Sequence, residues 1–348
     1  MSSLDLIRPD LRHCAPYVAS DNGAPHRLHL NELPWSPLGA GINYYSAEEN
    51  SVKLEAELAD LYDVRSNQLL ATRSANEGID FLMRLFLRAG TDSILQFSPT
   101  FSMYAFFAKL QGASVVDCPL DPENGFGLTF DQVKAAWQPS VKLILLCRPN
   151  NPTAMMPGLL LISALCKEFK DRSMIVIDEA YIEFSEETSA TTLHNQFDNL
   201  IVLRTLSKAH GLAGLRVGAV IAQAPIIEVI RNAVPPFRLA NPVIDLAHKA
   251  LSDTTFVSKS VARIAASRAM LVPVLERLAW IEKVYSGYIN SVFVRTKSVQ
   301  DLLPYLFEKG FQVRAFTSPE LQYYLRITIG SEEQTRLLIE ALERFKEK

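Results

Sequence analysis

Leu203-Arg204-Thr205-Leu206-Ser207-Lys208-Ala209-His210-Gly211-Leu212-Ala213-Gly214-Leu215-Arg216-Val217-Gly218 is the stretch around which the chain is organised. It continues a short apolar run, Leu200 to Leu203, that reads as a buried strand. Beyond that run stand the hydroxyls of Thr205 and Ser207, one lysine, a Gly-rich turn, and Arg216 eight residues past Lys208. Hydroxyl donors and a guanidinium fork suit a phosphate monoester dianion. A lysine leaving a strand end can also form a Schiff base with an aldehyde. Phosphate ligands around an imine-forming lysine point to pyridoxal 5′-phosphate (PLP). The plain alternative for Lys208 and Arg216 is a pair of surface charges on a loop, and the rest of the chain has to decide between the two.

Working outward, short apolar runs alternate with helical patterns. Ser93–Phe97, Ala113–Cys118, Val141–Cys147, Met174–Ile177, Leu200–Leu203 and Val217–Ala222 read as strands. Helices are expected at Ser51–Tyr62, from the Arg73-Ser74-Ala75-Asn76 turn to Arg88, and at Met103–Leu110, Phe130–Trp137 and Pro157–Phe169. This alternation predicts an α/β domain with a largely parallel sheet and helices on both faces. Ligands of such sheets bind where the strand C-termini meet their loops. Three strand ends are informative. Phe97-Ser98-Pro99-Thr100-Phe101 offers a ring that either stacks on a planar ligand or fills the core. Arg148-Pro149-Asn150-Asn151-Pro152-Thr153 is a tight turn. Asp178-Glu179-Ala180-Tyr181 ends a buried strand, where Asp178 needs a cation such as a protonated pyridine nitrogen, or else serves as a turn residue. The start of the helix after Arg73 is a natural anion site, with Ser74 or Asn76 alternatively an N-cap.

Past Arg238 the pattern changes. A helical region covers Pro242–Ala279, followed by strands at Ser291–Arg295, Phe311–Ala315 and Tyr323–Thr328, with helices near Val299–Glu308 and Glu332–Phe345. This is a smaller α+β domain. Arg326 lies in its last strand and either snorkels outward, which position alone favours, or reaches a carboxylate. The Pro-rich residues 1–43 cannot hold a core and must lie over another surface. The expected division is 1–43 as an N-terminal arm, 44–238 as the large domain and 239–348 as the small one.

The chain has 348 residues and a net charge of −3, with no long Lys/Arg run, so nucleic acid is not an expected partner. No apolar run is long enough for a membrane span, and Met1–Asp10 carries no export pattern. Cys14, Cys118, Cys147 and Cys166 are scattered, as for reduced cytosolic thiols, with no metal site expected from them.

Taken together, Thr205-x-Ser207-Lys208, Gly214-Leu215-Arg216, Pro149-Asn150-Asn151-Pro152-Thr153 and Asp178-Glu179-Ala180-Tyr181-Ile182-Glu183-Phe184 resemble the fold-type-I PLP aminotransferases, and within them the histidinol-phosphate branch. The resemblance spans essentially the whole chain. It implies a large domain with a mainly parallel seven-stranded sheet, a smaller α+β domain, and a cytoplasmic enzyme of histidine biosynthesis. It also implies an amino donor and a 2-oxo acid acceptor as substrates. Lys208 would hold PLP and act as general base. Asp178 would pair with the pyridinium nitrogen, and Asn151 and Tyr181 would meet the ring 3′-oxygen. Thr205, Ser207 and Arg216, with the backbone of Ala75 and Asn76, would bind the cofactor phosphate. Phe101 would stack on the ring. Tyr45 would reach the neighbouring active site of a homodimer. Arg326, Tyr17, Asn31 and Asn151 would face the substrate. Related readings are an aromatic amino acid aminotransferase and a threonine-phosphate decarboxylase-like lyase. The chain departs from the family pattern at Ser74 and Ala154, where glycine is usual, and at Leu33, Phe101 and His210.

Overall fold

The computed structural model describes residues 2–15, 28–39 and 41–346. Seven strands form the larger sheet: β1 (Leu69–Thr72), β2 (Ser93–Gln96), β3 (Ser114–Asp117), β4 (Val141–Cys147), β5 (Met174–Asp178), β6 (Leu200–Thr205) and β7 (Gly218–Ile221). Their spatial order is β1-β7-β6-β5-β4-β2-β3. The pairings among β2 to β6 are parallel, whereas β7 runs antiparallel to both β6 and β1. The mainly parallel seven-stranded sheet is therefore present.

Apart from the edge strand β3, both faces of this sheet are buried, which is why its strands read as nearly unbroken apolar runs. Strand periodicity sends alternate side chains to opposite faces. Leu143, Leu145, Cys147, Met174, Val176, Ile201 and Leu203 face one core, with Leu82 and Phe86 of α2 (Ser74–Phe86), Tyr104 of α3 (Met103–Leu110) and Ile230 of α6 (Ala224–Ala233). Ile144, Leu146, Ile175, Ile177, Leu200 and Val202 face the other. There they meet Leu54 and Leu58 of α1 (Glu48–Leu61), Val133 of α4 (Phe130–Ala136), Ile162 of α5 (Leu159–Glu168) and Ile244 of α7 (Asn241–Leu251).

The second sheet is antiparallel in the order β10-β11-β9-β8. It comprises β8 (Lys283–Tyr285), β9 (Ser291–Arg295), β10 (Arg314–Ala315) and β11 (Tyr324–Thr328). One face packs on α8 (Phe256–Arg277), α9 (Val299–Glu308) and α10 (Glu332–Arg344) through Val292, Val294, Leu325 and Ile327. The other face turns Tyr285, Phe293 and Tyr324 onto Phe126 of the first core.

The N-terminal segment lies on the body of the same chain: Ile7 is buried in the α2 core, and the Arg8 N–H donates to the Leu85 carbonyl at 2.9 Å. The structure differs from the sequence reading in several elements. β1 and β8, four and three residues long, and the ten-residue helix α6 were not anticipated. The helical region after Pro242 is two helices, interrupted at residues 252–255. The strand expected at Phe311–Ala315 shrinks to Arg314–Ala315.

Gly218 opens β7 where the start of α2 crosses it. A Cβ there would lie 2.6 Å from the Arg204 carbonyl oxygen and 2.8 Å from the Ser74 backbone. Gly214, by contrast, faces open space. In urea unfolding, Gly218→Ala is expected to cost about 2 kcal/mol or more through overpacking against backbone. Gly214→Ala should stay within about 0.5 kcal/mol of the parent.

Candidate active site

The C-terminal ends of β4, β5 and β6 converge with the first turn of α2. Asp178, the last residue of β5, is buried and pairs in register with Cys147 of β4. Its Oδ2 accepts a hydrogen bond from Tyr104 Oη at 2.8 Å, and its Oδ1 accepts from the Ala180 N–H at 3.1 Å. Burial raises the Asp178 carboxyl to about 6, against the pull of these donors and of the Lys208 charge. Burial likewise lifts the Tyr104 hydroxyl and the Cys147 thiol well above their ordinary values, with the Asp178 charge adding to both.

Lys208 follows β6, with Nζ 5.5 Å from the centre of the Tyr181 ring. The cleft leaves its side chain open to solvent, yet enclosure by the walls lowers its pKa, helped by the Arg326 and Arg216 charges and opposed by Asp178. The direction suits an amine that must lose its proton to act as nucleophile or base.

Asn151 lies between the two sheets. Its Nδ2 donates to Tyr181 Oη at 3.4 Å, and its Oδ1 accepts from Arg326 NH1 at 2.7 Å. Arg326 therefore points inward, contrary to the outward snorkelling that its position in the strand favoured. β11 places it on the same face as Tyr324, and that face turns toward the larger sheet. Arg326 Nε is buried without a hydrogen-bond partner.

Beside Lys208 lies a cluster of hydroxyls. Ser74 Oγ is 3.2 Å from Thr205 Oγ1 and 3.5 Å from Ser207 Oγ. Thr205 and Ser207 hydroxyls are 3.0 Å apart, and Arg216 NH1 donates to Ser207 Oγ at 3.3 Å. No side chain caps the start of α2, so its first N–H groups, around Ala75 and Asn76, carry the positive end of the helix dipole without a capping acceptor.

Not every expected residue joins this cluster. Phe101 packs edge-on to Tyr104, with ring centres 5.7 Å apart, and lies against the α2 core. Tyr45 is half exposed and stacks on Phe237 at 4.6 Å; none of its described contacts is with Lys208. Asn31 is exposed at φ +56°, with no described contact to the site. Tyr17 lies outside the described residues. Sequence reasoning missed Tyr104 and Cys147 as neighbours of Asp178. The only signal for Tyr104 was a polar group on the apolar face of α3.

The donor set fits PLP on this structure's own terms. A buried carboxylate lacks a permanent cation, a hydroxyl and guanidinium cradle lies open to an anion, and a lysine of lowered pKa stands between them. Comparison with known proteins agrees. The aminotransferase class I and II family model matches residues 38–342, and the chain belongs to that PLP-dependent family. Within it, the chain is 44% identical to histidinol-phosphate aminotransferase 1 of Legionella pneumophila (strain Lens), over 99% of this chain and 96% of the relative. It is 37% identical to the histidinol-phosphate aminotransferase of Xylella fastidiosa (strain 9a5c), over 96% of this chain and 95% of the relative. The fold matches the PLP complex of histidinol-phosphate aminotransferase from Sinorhizobium meliloti with a TM-score of 0.79, at 19% identity, covering 86% of this chain and 82% of that one.

The raised pKa of Asp178 carries a pH signature. The folded-state value lies above that of the unfolded chain, so the carboxyl costs nothing below about pH 4. Its penalty grows as pH rises through 6 and is then fully felt. In the apoprotein, Asp178→Asn should therefore raise unfolding free energy by roughly 3 kcal/mol at pH 8, shrinking to about half of that at pH 5. Urea titrations at the two pH values check this.

Proposed function

We propose that this enzyme transfers an amino group between L-histidinol phosphate and 2-oxoglutarate, giving imidazole-acetol phosphate and L-glutamate in the cytoplasm. The observation that carries the substrate is the 44% identity, over nearly the full length of both chains, to a histidinol-phosphate aminotransferase. The inward turn of Arg326 supports it. One guanidinium beside Asn151 and Lys208 can receive the phosphate of the donor in one half-reaction and a carboxylate of the acceptor in the other.

When bound, PLP supplies an aldehyde that condenses with amines and a pyridinium ring that withdraws electrons from the reacting carbon. The protein's residues then have separate tasks. Asp178, with Tyr104 and the Ala180 N–H at its two oxygens, would hold the proton on the ring nitrogen. Asn151 and Tyr181 orient the ring oxygen. Thr205, Ser207, Arg216 and the Ala75–Asn76 turn would anchor the phosphate, and Phe101, beside Tyr104, would cover the ring. Lys208 Nζ would hold the cofactor's aldehyde and would serve as the base that moves a proton at the substrate Cα. Its lowered pKa leaves more of the free base for that step.

In this reading residues 44–238 hold the cofactor and 239–348 bring Arg326. Of the arm, residues 1–43, Asn31 would face the substrate. The working unit is a homodimer in which Tyr45 reaches the partner's phosphate site. The exposure of Leu33, Trp35, Leu38 and Tyr45 in one segment supports this pairing.

The test is a product assay on PLP-loaded protein. Glutamate should form from histidinol phosphate and 2-oxoglutarate far faster than from phenylalanine, and Lys208→Ala should abolish it. Faster glutamate formation from phenylalanine would move the substrate to aromatic amino acids. Carbon dioxide from O-phosphothreonine, without glutamate, would replace transamination by decarboxylation. Sedimentation should give twice the chain mass.

A further inference from the structure

Ser74 is held at φ +71°, in the left-handed region that side chains with a Cβ avoid. It is also buried, and it opens α2 where Gly218 allows the helix start to touch β7. Glycine would occupy this position without strain. The serine hydroxyl is the added feature, and it is aimed at one place. Its Oγ lies 3.2 Å from Thr205 Oγ1 and 3.5 Å from Ser207 Oγ, the latter already receiving Arg216 NH1. Thr205 Oγ1 accepts the Ser207 N–H at 3.2 Å and has the Val217 carbonyl, also at 3.2 Å, as an outlet for its own proton. That leaves the Ser74 and Ser207 hydroxyl protons with only other hydroxyl oxygens as described acceptors. Arg216 NH1 also donates to the Ala213 carbonyl at 3.2 Å. Three hydroxyls and a guanidinium in one cluster, against one carbonyl acceptor for Thr205 and one for Arg216, make a donor surplus that an anion would resolve.

We infer that Ser74 is a further phosphate-binding residue: its hydroxyl donates to the cofactor phosphate beside Thr205, Ser207 and Arg216, and the strained backbone is retained for that contact. The inference rests on the assignment of Thr205, Ser207 and Arg216 to the phosphate. Local strain held by well-determined surroundings at a ligand clamp is a recognised pattern, and Ser74 has such surroundings on two sides. Thr72 Oγ1 donates to its carbonyl at 3.0 Å, and Gly218 lies against its Cα.

Fluorescence titration of the apoprotein with PLP and, separately, with pyridoxal separates the phosphate contact from the rest of the site. Ser74→Gly and Ser74→Ala should each weaken PLP binding about tenfold, the worth of one charge-assisted hydrogen bond. Pyridoxal binding should not change. The Tm of apo Ser74→Gly should exceed that of apo Ser74→Ala by about 1–3 °C, because only glycine accepts this backbone freely. Unchanged PLP affinity in both variants overturns the inference, as does an equal loss for PLP and pyridoxal. Arg216→Ala serves as the control. If it too leaves PLP affinity intact, the phosphate cradle itself is misassigned; if it weakens PLP while the Ser74 variants do not, only the role of Ser74 falls.

Discussion

Everything at the site hangs on a buried row of charges beneath it. Arg148, just past β4, is fully buried; its NH1 donates to Glu179 Oε1 at 2.8 Å and its Nε to the Pro157 carbonyl at 2.8 Å. Glu179, just past β5, also accepts the Ala190 N–H at 2.8 Å and the Ser189 hydroxyl, and lies 3.7 Å from Arg204 of β6. Arg204 continues to Glu183 at 2.9 Å and stacks over the Tyr62 ring at 4.3 Å. Two cations and two anions thus tie together the ends of three adjacent strands. Burying such charges is costly, and a row of this kind adds little net stability over an apolar one. Removing one member would be severe, about 3–5 kcal/mol, because its partner would remain charged and buried. What the row supplies is position.

That position passes to the site through the two-residue period of a strand. Arg148, Glu179 and Arg204 point to one face, with Leu146, Ile177 and Val202. One residue earlier or later, Cys147, Asp178 and Thr205 point to the other face. The same peptides serve both rows: the Arg148 N–H donates to the Asp178 carbonyl at 2.8 Å, and the Glu179 N–H to the Leu203 carbonyl at 3.0 Å. A site built on strand ends inherits their precision. Asp178 can then remain an uncompensated buried carboxyl, held by Tyr104, without the strand slipping to expose it.

The larger sheet was legible because both its faces are buried. Val141–Cys147 matches β4 residue for residue, and Met103–Leu110 matches α3. β1 was not legible. Four residues leading into a small-residue turn carry no period of their own, and their strand character comes from antiparallel pairing with β7, over a hundred residues away. Among the candidate residues, Lys208, Asp178, Thr205, Ser207 and Arg216 stood out as polar groups beside apolar runs, whereas the roles of Asn151 and Tyr181 came from the resemblance. Arg326 did not stand out, because a strand pattern says which residues share a face and not what that face meets. Tyr104 was hidden for a related reason: a tyrosine on a helix stripe reads as core until its hydroxyl is seen to reach Asp178. Tyr45 and Asn31 were named through resemblance alone, and within one chain their described contacts lie elsewhere.

The departures from the family pattern are most informative where backbone geometry makes them expensive. Ala154 stands where the resemblance expects glycine, and its φ is +60°, so the expected cost is real. Its methyl nonetheless fits, because Gly287 faces it: a Cβ at Gly287 would come within 3.1 Å of both the Ala154 methyl and its carbonyl oxygen. Arg216, at φ +56°, carries its strain to direct a guanidinium back onto Ser207. Strain of this kind persists only where the surroundings over-determine the backbone. Here those surroundings are the strand ends fixed by the buried charges and the short β7 pressed against them. The rigidity that holds a buried carboxyl and a cluster of hydroxyls and guanidinium in register is the same rigidity that lets the chain tolerate side chains at positions suited to glycine.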